Sequence, residues 1–423
     1  MVNKKKIAII GAGFTGLAAA WDLMKQGYNV EVFEASKIPG GLAAGFKEKN
    51  WQWAVEYHYH HIFKTDSALI SLLKEMGLQP KLFFKTVNTR SFFHGQAWSI
   101  DSPISLLKFA PLSILTRFRV GAVIALMKLL PNGRFLEKYT AKDFLVTAMG
   151  EKAWEVLWEP LFVGKFASEA EKINMAWFWA RIAARSQQLG YYRGGFFGLA
   201  EDMVEKLKAS GVTFHFNQPI QKIVDDKNKV KLVLTNNKQV FFAKVLATVP
   251  YPILSKIYKL EKNNLTGLAA RTLVLELDAP FFSDQTYWLS IHEKNWPFLA
   301  VVEHTNLVNK AHYGGKNMVY VGKYLPRESE FYKLSLDKVL EKYSPYLEQL
   351  SPGWKNHVTN KWLFSADFAQ PLVYQNHSKL LPKVELLKNK FYWLSMQHVY
   401  PWDRGINYAI KFGRLITSYL KDD

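Results

Sequence analysis

The run IAIIGAGFTG, from Ile7 to Gly16, leaves few folds open. Four apolar residues read as a buried strand, and the glycines after them read as a tight turn into a helix that continues through Lys25. Gly27 stops that helix, and Asn29–Phe33 alternates as a second strand that delivers Glu34. The glycines have separate jobs. Gly11 makes the turn, Gly13 lets the backbone approach a pyrophosphate, and Gly16 lets helix and strand pack closely. The amides of the turn, through Ala12, Phe14 and Thr15, face phosphate with the positive end of the helix dipole. Glu34 stands 18 residues beyond Gly16, where a carboxylate accepts hydrogen bonds from a ribose hydroxyl. A lone GxGxxG would be weak, but here strand, helix, second strand and acid are all present. The chain binds a dinucleotide.

The same residues imitate a secretory leader. Lys4, Lys5 and Lys6 form a basic start, an apolar stretch follows, and Ala18–Ala20 ends it with small residues. Because the strand–turn–helix reading accounts for every one of them, the expectation is a retained amino terminus and a cytoplasmic protein. At 423 residues two or three domains are expected. There is no cysteine, so disulfides, thiolate metal sites and cysteine nucleophiles are excluded. The net charge of +19 invites nucleic acid, an anionic membrane surface or acidic ligands, or is simply a solvated lysine-rich surface, since the lysines are scattered. No nucleic-acid motif accompanies the charge, so nucleic acid is not expected. The aromatic share of 15% suits a deep apolar pocket or a membrane-facing surface better than a DNA groove.

After Glu34 the run EASKIPGGLAAGF places Gly40 and Gly41 just past the strand end. This resembles the FAD-binding signature of the flavin amine oxidase superfamily, which includes amine oxidases, protoporphyrinogen oxidases, phytoene desaturases and UDP-galactopyranose mutases. By that resemblance Ala35, Gly40, Gly41 and Leu42 border the cofactor, and the glycine pair lets the chain run close to the diphosphate. Many relatives carry Arg or Lys after the glycines. Leu42 removes that cation, so a neighbouring group must replace it. Near the other end, MQHVYPWDRGINYAIKFGRLITSYL follows a short apolar strand, Phe391–Ser395. In the superfamily the final strand and helix close the FAD site. Asp403 would accept from ribityl or ribose hydroxyls, Arg404 would pair with phosphate, and the helix from Ile406 to Leu420 would point its N-terminus at the flavin. The segments Thr213–Phe216 and Gln218–Val224 resemble the superfamily's return to the parallel sheet, with the main chain of Ile220 clamping the adenine, and Val240–Ala247 reads as a further strand.

Between these ends the signals are weaker. WQWAVEYHYHHIF, residues 51–63, holds three histidines, of which His58 and His60 would share one strand face with His61 opposite. Metal is disfavoured for want of further ligands; a packed histidine cluster or a loop against the flavin remains. HIFKTD resembles the histidine-bearing loop of galactopyranose mutases, which makes His60 and His61 the better candidates for catalysis and His58 the weaker one. Glu303 and His304 in VVEHTN, with Tyr400, are the reserve catalytic candidates. Residues 103–130 are the most apolar stretch, but Arg117, Arg119 and Lys128 interrupt it, which argues against a membrane span. Pro111 divides it into two helices. They read as buried helices of the second domain in preference to interfacial ones. Trp154, Trp158, Trp177 and Trp179 read as core.

The expected fold is α/β, a Rossmann-like FAD-binding domain (residues 1–50, 190–265 and 388–423) interleaved with a mixed α+β substrate domain (51–189 and 266–387). The expected function is an FAD-dependent oxidoreductase, oxidase or desaturase, acting on an apolar or amine-bearing small molecule. A redox-neutral enzyme of the galactopyranose mutase type and a non-catalytic flavoprotein are the alternatives. No second GxGxxG unit provides an NAD(P)H domain. A peripheral position on the inner face of the membrane remains open through residues 103–130.

Overall fold

The computed structural model describes residues 5–184, 186, 188–260 and 265–420; Lys4 of the leader-like start lies outside the described residues. A six-stranded sheet runs in the order Thr213–His215, Asn29–Phe33, Lys6–Ile10, Lys244–Ala247, Phe391–Trp393, Glu385–Leu387. All neighbours are parallel except the last pair. Its strands are apolar on both faces because both faces are covered. Ile7 and Ile9 point into a cluster with Leu17, Leu23 and Leu199, whereas Ala8 and Ile10 point the other way, toward Ile223, Leu232 and Phe242. The first face carries the helices Phe14–Lys25, Gly195–Ala209 and Ile406–Leu415, and the second an antiparallel sheet of Ile220–Asp226, Lys229–Leu234 and Gln239–Phe242.

That last arrangement corrects one strand. Val240–Ala247 is two strands in two sheets, Gln239–Phe242 in the antiparallel cover and Lys244–Ala247 in the parallel sheet, separated at Ala243. The carboxy-terminal helix is also shorter than expected, ending at Leu415 before a 3-10 turn, Ile416–Ser418.

A seven-stranded sheet, mainly antiparallel, includes Val358–Pro371, Gly267–Leu277 and Asn317–Leu325, and recruits Asn88–Phe93 from far earlier in the chain. One face packs on the helix Leu336–Leu350 through Leu273, Val321 and Tyr343. The other contributes Val274, Val302 and Tyr320 to the cluster beneath the Lys6–Ile10 strand. One apolar core therefore joins the two sheets.

The helical block between residues 103 and 184 has its own core, in which Trp154, Trp177 and Trp179 are buried and Trp158 is partly so. Pro111 separates the helices Pro103–Leu107 and Ile114–Leu129. Burial of these helices is not what the structure shows. On Ile114–Leu129 only Val120 and Met127 are buried, while Leu115 and Leu129 are each 79% exposed and Ile114, Phe118 and Leu126 are exposed with them. Among the described residues no helix is long and apolar enough to cross a membrane.

Two helices from opposite ends of the chain cross at a glycine: a Cβ at Gly413 would lie 2.2 Å from the Thr15 carbonyl oxygen. Within the turn, one at Gly16 would lie 2.0 Å from the Gly11 carbonyl oxygen. Gly413→Val is expected to push the two helices apart at a cost of about 1–3 kcal/mol, the range for overpacking. Urea denaturation of the purified protein reads this as a lowered midpoint; an unchanged midpoint would mean that the crossing is looser than the structure shows.

Candidate active site

The parallel strands deliver their loops to one edge. Gly11 follows Ile10, Glu34 follows Phe33 and Thr248 follows Ala247, so all three stand at the carboxyl ends of adjacent strands, where open α/β sheets bind ligands. A cavity of about 1100 Å³ opens there, bordered by Gly11, Gly13, Phe14, Thr15, Glu34, Gly40, Gly41 and Leu42. Its floor is tight backbone. Gly11, at φ +107°, donates its amide to Phe33 O at 2.8 Å, and a Cβ there would lie 2.7 Å from Thr248 Oγ1. The Gly40 amide donates to Ala12 O at 3.0 Å, and a Cβ on Gly41, at φ +59°, would come within 3.4 Å of the Gly13 Cα. Side chains at these positions would close the cradle. Glu34 accepts the Ala12 amide at 2.7 Å and the Ser36 amide at 2.9 Å, which aims its carboxylate at the turn.

A second cavity, about 570 Å³, adjoins the first. Leu42, His58, His60, Arg404, Gly405 and Ile406 line both. The helix Ile406–Leu415 begins at this junction, so the positive end of its dipole points there. Aromatic side chains wall the second cavity: Tyr59, Trp158, Phe162, Trp177, Phe178, Trp288 and Tyr408. Trp158 and Trp177 thus serve as cavity wall as well as core, a role their helical spacing did not signal.

The histidines lie on irregular chain rather than on a strand. His58, His60 and His61 all border the second cavity, so the expected opposition of His61 is not seen. His58 Nδ1 lies 2.8 Å from Thr272 Oγ1, and His60 Nδ1 lies 2.6 Å from the His58 carbonyl oxygen, to which it donates. His61 Nδ1 is 3.5 Å from the Tyr287 hydroxyl. Burial pushes His58 down to about 3, with the charges of His60 and Arg404 adding to it, and His60 down to about 4. Both rings are neutral at neutral pH.

Asp403 faces the second cavity and does not border the first. Its Oδ2 accepts from Lys165 Nζ at 2.7 Å and Arg181 at 3.0 Å, and its Oδ1 from Trp177 Nε1 at 3.3 Å. The expectation of a ribityl or ribose acceptor is corrected accordingly, because those donors already occupy both oxygens. Burial works against its charge, yet Lys165, Arg181 and Arg404 hold the carboxyl well below the usual range. Arg404 stands at the junction, donating to Gln370 Oε1 at 3.3 Å and to the Tyr324 hydroxyl. The other cations bordering the first cavity are Lys256 and Arg327, within reach of a cavity that Leu42 leaves without its own charge.

Five further candidates lie off both cavities. Glu303 is buried and accepts the amides of Phe281 and Phe282 at 3.1 and 2.8 Å, holding a loop. His304 Nε2 meets the Tyr313 hydroxyl at 2.9 Å, and burial pushes the ring down to about 3. The Tyr400 hydroxyl donates to Glu137 Oε2 at 2.8 Å and accepts from Asn174. These three are corrected to packing roles on those contacts. Ile220 begins the antiparallel cover, paired with Leu234. Ala35 is exposed beside Glu34.

A cradle of close-packed glycines at the carboxyl ends of parallel strands, opening into an aromatic cavity, is the geometry of a dinucleotide-binding protein. The chain belongs to the flavin containing amine oxidoreductase family, whose model matches residues 14–359, and its cofactor is FAD. It is 22% identical to the coproporphyrinogen III oxidase of Staphylococcus aureus over 288 residues, 59% of this chain and 61% of that protein. It is 31% identical to the zeta-carotene desaturase of Arabidopsis thaliana over 121 residues, 29% of this chain and 19% of that one. The chain thus spans about three fifths of the first relative and a fifth of the second. A reduced UDP-galactopyranose mutase superposes with a TM-score of 0.76 over 99% of this chain and 95% of that one, at 16% identity, and so shares the fold.

Glu34→Ala is expected to weaken FAD binding by about tenfold or more, the scale of a lost charge-assisted hydrogen bond. Titration of the flavin-depleted protein with FAD, followed by flavin fluorescence, measures it. An unchanged dissociation constant would assign the carboxylate to the turn alone.

Proposed function

We propose that this FAD-dependent oxidoreductase oxidises an apolar small molecule seated in the second cavity, with FAD in the first. The observation that carries the reading is the junction, where Leu42, His58, His60, Arg404, Gly405 and Ile406 line both spaces, so that ligands in the two cavities meet there. In this reading the FAD-binding part takes residues 1–50, 190–265 and 388–423, with Glu385–Leu387 added as an edge strand, and the substrate part takes the rest. FAD, when bound, supplies a two-electron acceptor. The chain's own residues bind, orient and exclude water. The Gly11–Gly16 turn and Glu34 hold the dinucleotide, the helix N-terminus at Ile406 favours negative charge at the junction, and the aromatic walls keep the substrate dry. His60, neutral and fixed by the His58 carbonyl, and His61, which borders the second cavity, are the groups placed to orient a ligand or accept its proton.

Access favours an apolar substrate. Lys128, at the end of the helix Ile114–Leu129, and Pro103 both border the second cavity, so the exposed apolar face lies beside its mouth. Exposed Lys108, Arg119, Lys128, Arg134 and Lys138 accompany that face. An apolar helix with a basic margin suits the surface of an anionic membrane.

Anaerobic mixing of the yellow holoenzyme with coproporphyrinogen III and with zeta-carotene, read as bleaching of the flavin band, tests the reaction; a protein that cannot be loaded with FAD would sink the reading. With a reducing substrate in hand, His60→Ala and His61→Ala are expected to keep FAD yet slow reduction by about 10²-fold, the low end of acid–base effects. Unchanged rates in both variants would make the pair structural. For the membrane, flotation with phosphatidylglycerol vesicles should carry the protein upward, and Leu115→Glu with Leu129→Glu should abolish it. Equal flotation of the doubly substituted protein would free this helix of any lipid role.

A further inference from the structure

The second cavity is not neutral. Among the described residues it is lined by Lys128, Lys165, Arg181, Lys323 and Arg404 against Asp66, Asp101 and Asp403. The acids are not equivalent. Asp101 is exposed and occupied at the rim by Thr89, and burial pushes Asp66 up to about 6, toward its neutral form. Deeper in, Asp403 alone answers Lys165, Arg181 and Arg404. The ion pairs of Lys165 and Arg181 end on the same oxygen, and Arg404 turns its guanidinium to two neutral partners, Gln370 and Tyr324. Lys165 is only 9% exposed, laid between the rings of Trp177 and Tyr324.

Three cations around one carboxylate leave an excess of positive charge, with Lys165 itself removed from solvent. Such an excess is costly unless something of opposite sign completes it. Burial pushes Lys165 down to about 7 despite Asp403, the direction expected of a cation with too little compensation. The aromatic walls meanwhile require an apolar body.

We infer that the second cavity selects substrates with an anionic group, carboxylate or phosphate, on an apolar body, the anion docking against Lys165, Arg181 and Arg404. This rests on the reading of that cavity as the substrate site. It excludes primary amines as good ligands, although the family takes its description from amine oxidation. A protonated amine would add a fourth cation to the group. Lys165 and Arg181 become specificity-determining residues, with Asp403 holding them in register for the incoming anion.

Binding calorimetry on the FAD holoenzyme tests this with four probes of one chain length: decanoate, decyl phosphate, decanol and decylamine. At least one of the two anions should bind ten times or more tighter than decanol, and decylamine more weakly than decanol. Comparison of decanoate with decyl phosphate identifies the anion. Lys165→Met should bring the better anion to within threefold of decanol while decanol affinity stays within threefold of its original value. Arg181→Gln, on a side chain 40% exposed at the cavity wall, reads the same loss should the buried substitution fail to fold. Decanol or decylamine binding as tightly as both anions, no binding by any probe, or an anion preference intact in every variant that folds would each overturn the inference. The readout needs no turnover. A yellow protein that prefers an anion but is reduced by nothing keeps the anion site and loses the redox reading, and the reverse result loses only the anion site.

Discussion

The strand Lys6–Ile10 sits inside the parallel sheet with apolar clusters against both faces, and that constraint organises the molecule. A strand buried on both sides has no place for a polar side chain along its length. Chemistry is displaced to the strand ends, where Gly11, Glu34 and Thr248 stand side by side. The turn at Gly11 then has to be compact enough for the next helix to start beside the sheet, which explains why a Cβ at Gly11 or Gly16 would strike backbone or the Thr248 side chain. The helix begins where the strands stop, so amides and dipole converge on the same edge. The carboxy-terminal helix can reach that edge only by crossing the first helix at Gly413, and its own start at Ile406 lands between the two cavities.

The antiparallel sheet supplies the opposite wall. Because Val274, Val302 and Tyr320 belong to the same core as Ile7 and Leu17, the two sheets are held by one apolar contact surface. Position at the junction is therefore fixed by packing on both sides. Thr272, on the strand Gly267–Leu277, is the second sheet's contact with His58, while the main chain of His58 fixes His60. Mutual support of this kind holds a site to the tolerance that catalysis needs.

What could be read from the sequence follows from how far apart the cooperating residues are. The turn, Glu34 and the Gly40–Gly41 pair lie within about thirty positions, and their spacing is dictated by one strand, one helix and one turn, so the cradle-lining residues were legible. The grouping of Lys165 and Arg181 with Asp403 was not, although Asp403 itself stood out as a site residue. The three come from two helices and a terminal loop separated by more than 200 positions, and nothing local marks a lysine that will meet an aspartate across the fold. Glu303 and His304 misled for the converse reason. Adjacent polar residues at a strand end look like a site, but these are consumed by a loop's amides and a tyrosine hydroxyl in the interior. The helix Ile114–Leu129 misled through composition alone, since apolar content says nothing about whether a face finds a partner.

The two unusual surfaces of the molecule share an edge. An apolar helix that exposes Leu115, Phe118 and Leu129 would be an aggregation hazard on an ordinary soluble surface. A cluster of cations sharing Asp403, with Lys165 buried and Arg181 and Arg404 half-buried, is equally unusual beside an aromatic cavity. Lys128 belongs to both, ending the apolar helix and bordering the cavity. One kind of ligand would resolve both anomalies: a molecule whose apolar body leaves a lipid-like environment along the helix and whose charged end settles against Lys165 and Arg181. Under the proposed reading, its path from one to the other would pass the aromatic wall of Trp158, Trp177 and Trp288 and would stop where His60 and Ile406 face the first cavity. On that path the net charge of +19 would have a local meaning as well as a general one, because the basic margin of the helix and the cations of the cavity would draw the same end of the same ligand.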